Sequence, residues 1–186
     1  MFYGGKEKMN KDVARILVSE DEIIRRSIEL GKQISEDYKD KKAPILVALL
    51  KGSVPFLAEL MKHIELDIEY DFMDVSSYEG TESIGDIRIL KDLDRSIRGE
   101  NVLLVEDIVD TGRTLKTVKK LMKDKGASDV KIVSLLDKPD RRVVDIQAEY
   151  VGFIIPNEFV IGYGLDFNQK YRNLPYVGVL KEECYK

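Results

Sequence analysis

Cysteine and histidine are nearly missing from this chain, which has one of each, Cys184 and His63. A lone thiol excludes an intramolecular disulfide, and no Cys and His cluster exists to hold zinc. Cys184 reads as a free thiol in a fraying segment, and His63 as a structural or exposed side chain near a helix end. Long apolar runs are missing too. None approaches the roughly 18 residues that a membrane span needs, and residues 1–6 lack the hydrophobic segment of a signal peptide. The expectation is a cytoplasmic chain with no membrane partner. There is no low-complexity stretch, no repeat period and no excess of positive charge: the net charge is -4 and the sequence pI about 5.3. No global basic field draws this chain to nucleic acid, so no nucleic-acid partner is expected. What is present is ordinary for a globular protein: 186 residues, 44% hydrophobic and 34% charged. That length supports one domain with a real core and is marginal for two, so a single domain over residues 1–186 is expected.

Ser19-Glu20-Asp21-Glu22 is a capping box ahead of a helical pattern. Ile23, Ile24, Ile28, Leu30, Ile34 and Tyr38 fall in one arc, which predicts a helix ending near Asp40 with that arc in the core. Residues 45–50, Ile-Leu-Val-Ala-Leu-Leu, show no polar alternation, as expected of a parallel strand covered on both faces. Lys51-Gly52-Ser53 breaks the run, and Pro55 suits the first turn of a helix reaching about His63. Residues 66–75 read as a second strand. Residues 76–86 hold turn formers with few apolar anchors, a candidate mobile loop before the chain resumes at Ile87. A strand at 102–105 leads to a helix from Thr114, with Leu115, Val118, Leu121 and Met122 inward and Gly126 as its stop. Residues 130–136 form another buried strand, and 150–154 and 159–161 short ones. Alternating strands and helices predict an α/β fold with a mainly parallel sheet. In such sheets ligands bind beyond the carboxyl ends of the strands, where the strand order reverses.

That rule directs attention to the residues after Leu50, Val105 and Leu136. They are Lys51-Gly52, then Glu106-Asp107 followed by Asp110-Thr111-Gly112-Arg113-Thr114, then Lys138 with Arg141 and Arg142. Carboxylates repel phosphate, whereas a Thr-Gly-x-Thr loop opening a helix attracts it through free backbone N–H groups and the helix dipole. A ligand with phosphates at both ends and vicinal hydroxyls between them satisfies both: hydroxyls and a hard cation on the acids, one phosphate in the loop, another near Lys51.

Residues 102–115 resemble the phosphoribosyl pyrophosphate signature of type I phosphoribosyltransferases, in which hydrophobic residues precede two adjacent acids and an Asp-Thr-Gly-x-Thr loop. The wider chain resembles the hypoxanthine branch of that family from about residue 13 to 181. The likeness is carried by Leu49-Leu50-Lys51-Gly52, Ser76-Ser77-Tyr78, Leu135-Leu136-Asp137-Lys138, Ile155-Pro156, Phe159-Val160-Ile161-Gly162-Tyr163 and the run from Asp166 to Arg172, in the family's order and spacing. The resemblance implies a mainly parallel twisted sheet flanked by helices, with a small hood formed by the N- and C-terminal segments. It implies transfer of a 5-phosphoribosyl group from 5-phosphoribosyl 1-pyrophosphate to N9 of hypoxanthine or guanine, giving IMP or GMP and pyrophosphate, in a homodimer or homotetramer. Carried over by residue, Asp110, Thr111, Gly112, Arg113 and Thr114 bind the 5'-phosphate. Glu106 and Asp107 match the acids at the ribose hydroxyls and a Mg²⁺ ion, and Lys51, Gly52 and Arg172 the pyrophosphate site. In the family it resembles, the peptide bond before the residue that matches Lys51 can be cis.

On the purine side, Lys138 matches the donor to O6, Phe159 the ring that stacks on the base, Val160 a backbone contact, and Asp166 an acid near the base edge and a second Mg²⁺. Asp110 resembles the general base that takes a proton from N7. Ser77 and Tyr78 match a mobile loop that closes over the donor; its sequence, Ser77-Tyr78-Glu79-Gly80-Thr81-Glu82, is more acidic than a flap over pyrophosphate would suggest. Read singly, these residues have plainer roles: Asp110 a helix N-cap, Lys51 and Lys138 surface lysines, Phe159 core. Arg141 reads as a surface charge, and Arg142 stays open between ligand and surface. Xanthine or adenine specificity is the rival within the family. A non-catalytic regulator of the same fold would show a basic surface and would have lost Asp110 or Lys51. A phosphoaspartyl or receiver protein would need an Asp-x-Asp-x-Thr loop or an N-terminal acid pair, and Asp107-Ile108-Val109-Asp110-Thr111 has the wrong spacing.

Overall fold

Two of the unbroken apolar runs lie side by side at the centre of the molecule. The structure is a computed structural model that describes residues 9–77 and 87–186. Strand β1 (Val13–Val18) leads into helix α1 (Glu20–Tyr38), strand β2 (Ile45–Leu49) and helix α2 (Val54–Leu60), which tightens into a 3₁₀ turn at Met61–His63. Strands β3 (Glu69–Ser77), β4 (Ile87–Lys91) and β5 (Asn101–Val109) precede helix α3 (Arg113–Asp124). Strands β6 (Asp129–Asp137), β7 (Tyr150–Ile154), β8 (Val160–Ile161) and β9 (Val177–Leu180) follow.

Six strands form one sheet in the order β4-β3-β2-β5-β6-β7, parallel except for the β3–β4 edge pair. The chain steps from β2 outward to β3, then returns to place β5 on the other side of β2. The strand order therefore reverses between β2 and β5, and their carboxyl ends open a crevice there. Because side chains alternate along a strand, each central strand feeds two cores. Leu46, Ala48, Leu103, Val105, Val133 and Leu135 pack with Ile23, Leu30 and Ile34 of α1 and Phe56, Leu57 and Leu60 of α2. Ile45, Val47, Leu49, Val102, Leu104 and Ile132 pack with Leu115, Val118 and Met122 of α3.

Helix α1 begins in the expected capping box: Ser19 N–H donates to Glu22 Oε2 at 2.8 Å, and Ser19 Oγ accepts from Glu22 N–H. Its buried line is Ile23, Ser27, Leu30, Gly31, Ile34 and Tyr38, while Ile24 and Ile28 sit half-buried at its edge. The small residues face inward because the 3₁₀ turn crosses α1 closely; a Cβ on Gly31 would lie 2.5 Å from the His63 carbonyl oxygen. His63 is structural, with Nε2 2.9 Å from Glu59 Oε1.

Two expectations shift. The strand expected to end at Val105 runs on to Val109, because Ile108 and Val109 continue the ladder opposite Leu136 and Asp137. Ser76 and Ser77, expected in a loop, belong to β3 and pair with Arg88 and Ile87 of β4. The rest of that candidate loop, with Tyr78, lies outside the described residues. A second sheet, β1-β9-β8, is antiparallel throughout and forms the hood that the resemblance implies, from both ends of the sequence. Among the described residues, no helix is long and apolar enough to cross a membrane.

Candidate active site

The turn from β5 into α3 forms the first part of the site. Gly112 is the N-cap of α3 and has a φ of 80°, a left-handed conformation that glycine adopts without cost. A Cβ there would lie 2.5 Å from Ile146 Cγ2, so neighbouring side chains already fill the place of one. The first-turn amides of α3 are free of intrahelical partners, and with the helix dipole they favour an anion. A cavity of about 110 Å³ lies at this turn, walled by Glu106, Ile108, Val109, Asp110, Thr111, Gly112, Arg113 and Thr114 among others. Arg142, left open by the sequence, braces the loop: its guanidinium donates to the Asp110 carbonyl and to the Asp137 carboxylate.

A second cavity, of about 450 Å³, adjoins the first. Its walls are Ile108, Asp110, Lys138, Arg141, Asn157, Glu158, Phe159, Val160, Leu165 and Asp166. Lys138 is buried at the end of β6, where its N–H donates to the Val109 carbonyl and Nζ donates to the Glu158 carbonyl at 2.7 Å. Burial pushes its ammonium below the usual lysine range, with the Asp110 and Glu158 charges opposing. An ammonium carries three donors, so two remain for a ligand. Phe159 is 40% exposed and meets Phe167 edge-on. Arg141, expected as a plain surface charge, is exposed but ion-paired: its Nε lies 3.1 Å from Asp110 Oδ1. One carboxylate therefore lines both cavities.

Below them, Glu106 and Asp107 lie in the carboxyl half of the central strand β5. Desolvation, then the neighbouring Asp107 charge, raises Glu106 well above the usual carboxylate range. Desolvation also lifts Asp107 from 3.8 to about 6, against the Ile108 N–H and the Arg172 charge, while Asp166 adds to the rise. Gly52 is buried directly beneath this acid; a Cβ on it would fall 1.6 Å from Asp107 Oδ2. Any side chain at 52 would evict the carboxylate. Lys51 is exposed beside it, and the Leu50–Lys51 peptide bond is cis. Across the crevice, Arg172 pairs with Asp166 at 2.7 Å and donates to the Gly164 carbonyl.

The structure thus brings Lys51, Gly52, Glu106, Asp107, the 110–114 loop, Lys138, Phe159, Val160, Asp166 and Arg172 to one crevice. Ser77 lies at the tip of β3, and Tyr78 is outside the described residues. Sequence reasoning missed Arg141 and Arg142 as partners of Asp110, and Asn157 and Glu158 as walls. Among the described residues no group of three or more acids, histidines or cysteines converges to hold a metal by itself. Paired acids do suit Mg²⁺, which takes one or two carboxylates and completes its shell with phosphate and water.

Residues 15–168 match the phosphoribosyl transferase domain, and the chain belongs to that family. Its relatives narrow the branch: it is 54% identical over 178 residues to a hypoxanthine-guanine phosphoribosyltransferase of Streptococcus pyogenes, covering 95% of this chain and 98% of that one. A hypoxanthine phosphoribosyltransferase of Staphylococcus aureus superposes with a TM-score of 0.89 at 48% identity, over 94% of this chain and 95% of that one. The Trypanosoma cruzi enzyme, solved in complex with the product IMP, superposes with a TM-score of 0.91 at 40% identity, over 96% of this chain and all of that one.

Proposed function

We propose that the protein transfers the 5-phosphoribosyl group of 5-phosphoribosyl 1-pyrophosphate to N9 of hypoxanthine and guanine, forming IMP and GMP in purine salvage. The observation that carries this reading is the position of Asp110 between the two cavities. A sugar phosphate held at the 110–114 loop and a flat base against Phe159 would meet beside that carboxylate. Relatives named hypoxanthine-guanine phosphoribosyltransferases support it, and neither a xanthine-preferring enzyme nor a non-catalytic regulator is favoured.

The backbone of residues 110–114 with the Thr111 and Thr114 hydroxyls binds the 5'-phosphate, and Glu106 and Asp107 hold the ribose hydroxyls. Departure of pyrophosphate leaves positive charge on the ribose, which the same two acids stabilise electrostatically. Lys51, the Gly52 backbone and Arg172 take the pyrophosphate, Arg172 turning from Asp166 to do so. Mg²⁺ on Glu106, Asp107 and Asp166 would offset the charge between these acids and the donor. Asp110 releases Arg141 and accepts the proton of N7 as N9 bonds to carbon. Lys138 donates to O6, Phe159 stacks on the base, and the Val160 backbone meets its edge. The reaction runs in the cytoplasm, in a homodimer or homotetramer of single-domain chains.

The test is a steady-state assay of hypoxanthine, guanine, xanthine and adenine with the donor, with Mg²⁺ or with EDTA, on the wild type and Lys138→Gln. An ammonium faces the 6-amino group of adenine donor to donor, and a mismatch at a buried donor rejects the wrong base by roughly 10⁴. Adenine should fail, EDTA should abolish turnover, and Lys138→Gln should lower kcat/KM for hypoxanthine and narrow the gap to adenine. Efficient adenine use, or turnover in EDTA, would sink the reading.

A further inference from the structure

The ring offered to the base is itself covered. Phe159 walls the larger cavity, yet it also stacks on Tyr185, with ring centroids 5.1 Å apart and planes 23° apart. Tyr185 is not among the cavity walls, so it covers Phe159 on the side turned away from the space where a base fits. Phe167 meets the same ring edge-on, with centroids 5.6 Å apart at 90°. The tail is fixed where this requires. Leu180 N–H donates to the Phe159 carbonyl at 2.9 Å, and Lys181 N–H donates to the Asp12 carbonyl at 3.0 Å. A 3₁₀ turn at Glu182–Cys184 then folds the chain back, with Tyr185 N–H on the Glu182 carbonyl at 3.1 Å.

We infer that Tyr185 is a positioning residue of the purine site, a backing ring that holds Phe159 in the plane the base needs. The inference rests on the purine-transfer reading above. A ring 40% exposed has room to rotate, and binding a base to it would mean ordering it first. Clamped by one stacked and one perpendicular neighbour, Phe159 is ordered before the base arrives. Tyr185 touches neither the base nor the donor. Its loss should therefore weaken the base alone and leave donor binding and chemistry as they were.

The experiment measures kcat, KM for hypoxanthine, KM for 5-phosphoribosyl 1-pyrophosphate and Tm for the wild-type chain, Tyr185→Ala and Tyr185→Phe. Loss of one aromatic stack predicts a KM for hypoxanthine raised roughly 3- to 10-fold in Tyr185→Ala. Donor KM and kcat should hold, Tm should drop by only a few degrees, and Tyr185→Phe should restore the wild-type values because the ring alone makes the contact. The inference is overturned by an unchanged hypoxanthine KM in Tyr185→Ala, by both KM values rising together with a lower Tm, or by a Phe variant as impaired as the Ala one. Wild-type turnover keeps the two levels apart: an active wild type with flat variants removes only the role of Tyr185, whereas a wild type that forms no IMP removes the transfer reading and this inference with it.

Discussion

The Asp110 carboxylate answers to two neighbours. In the free protein it accepts from Arg141, while its own carbonyl accepts from Arg142, so side chain and backbone of one residue are held by consecutive arginines. The two contacts differ in consequence: the exposed Arg141 pair can open to admit a base, whereas the Arg142 brace fixes the loop. Asp110→Asn keeps size and loop shape and removes the base. We expect kcat to fall by roughly 10² to 10⁴, with a smaller change in donor affinity. Loss of donor binding with single-turnover chemistry still fast would make Asp110 a loop-shaping residue instead, since the cap of α3 is Gly112. The acids and the Thr-Gly loop were legible because they are contiguous in sequence. Their arginine partners were not, since Asp110 and Arg141 come together only when β5 and β6 lie side by side and local charge says nothing about such a pairing.

The turn that opens α3 is the most demanding element of the site. Gly112→Ala would put a side chain into a left-handed residue, at about 1–2 kcal/mol, and press its Cβ onto Ile146. Each kcal/mol lowers the Tm of a chain this size by roughly 2–4 °C. The donor KM should rise roughly tenfold or more, because the shifted amides no longer converge on the phosphate; a variant with wild-type donor KM would refute the cradle. Helices and central strands were readable from capping, periodicity and unbroken apolar runs. Strands β1 and β9 were not. Val13–Val18 and Val177–Leu180 are short and find each other across almost the whole described chain, and no local pattern carries that pairing.

Taken as one molecule, the site sets a pH dependence. In the ligand-free state the folded chain keeps protons on Glu106 and Asp107 that the unfolded chain has already released, from about pH 4 up to about 6 for Asp107. The folded state binds more protons across that window, so stability falls as pH rises through it. The Tm of the ligand-free protein should therefore decline from about pH 4.5 to 7 more steeply than that of the double variant Glu106→Gln, Asp107→Asn. Donor with Mg²⁺ should reverse the trend, and its KM should rise below about pH 6, where the acids must first lose protons. Parallel Tm profiles for the two proteins would show that these acids are not the source.

The hood has a temporal meaning as well as a spatial one. Val13 pairs with Leu180, so β1 leaves the ribosome long before its partner strand β9 and waits for it. The phosphate turn is local and can form as soon as α3 docks on β5, while the wall carrying Phe159 and Val160 waits for its β9 neighbour. Closing so long a loop comes late, after shorter-range contacts have been made. Pulse-labelled hydrogen exchange during refolding should protect the amides of β2 and β5 before those of β1 and β9; simultaneous protection would contradict it. A growing chain would on this account acquire its hold on the sugar phosphate first, and its taste for a purine only once β9 has emerged.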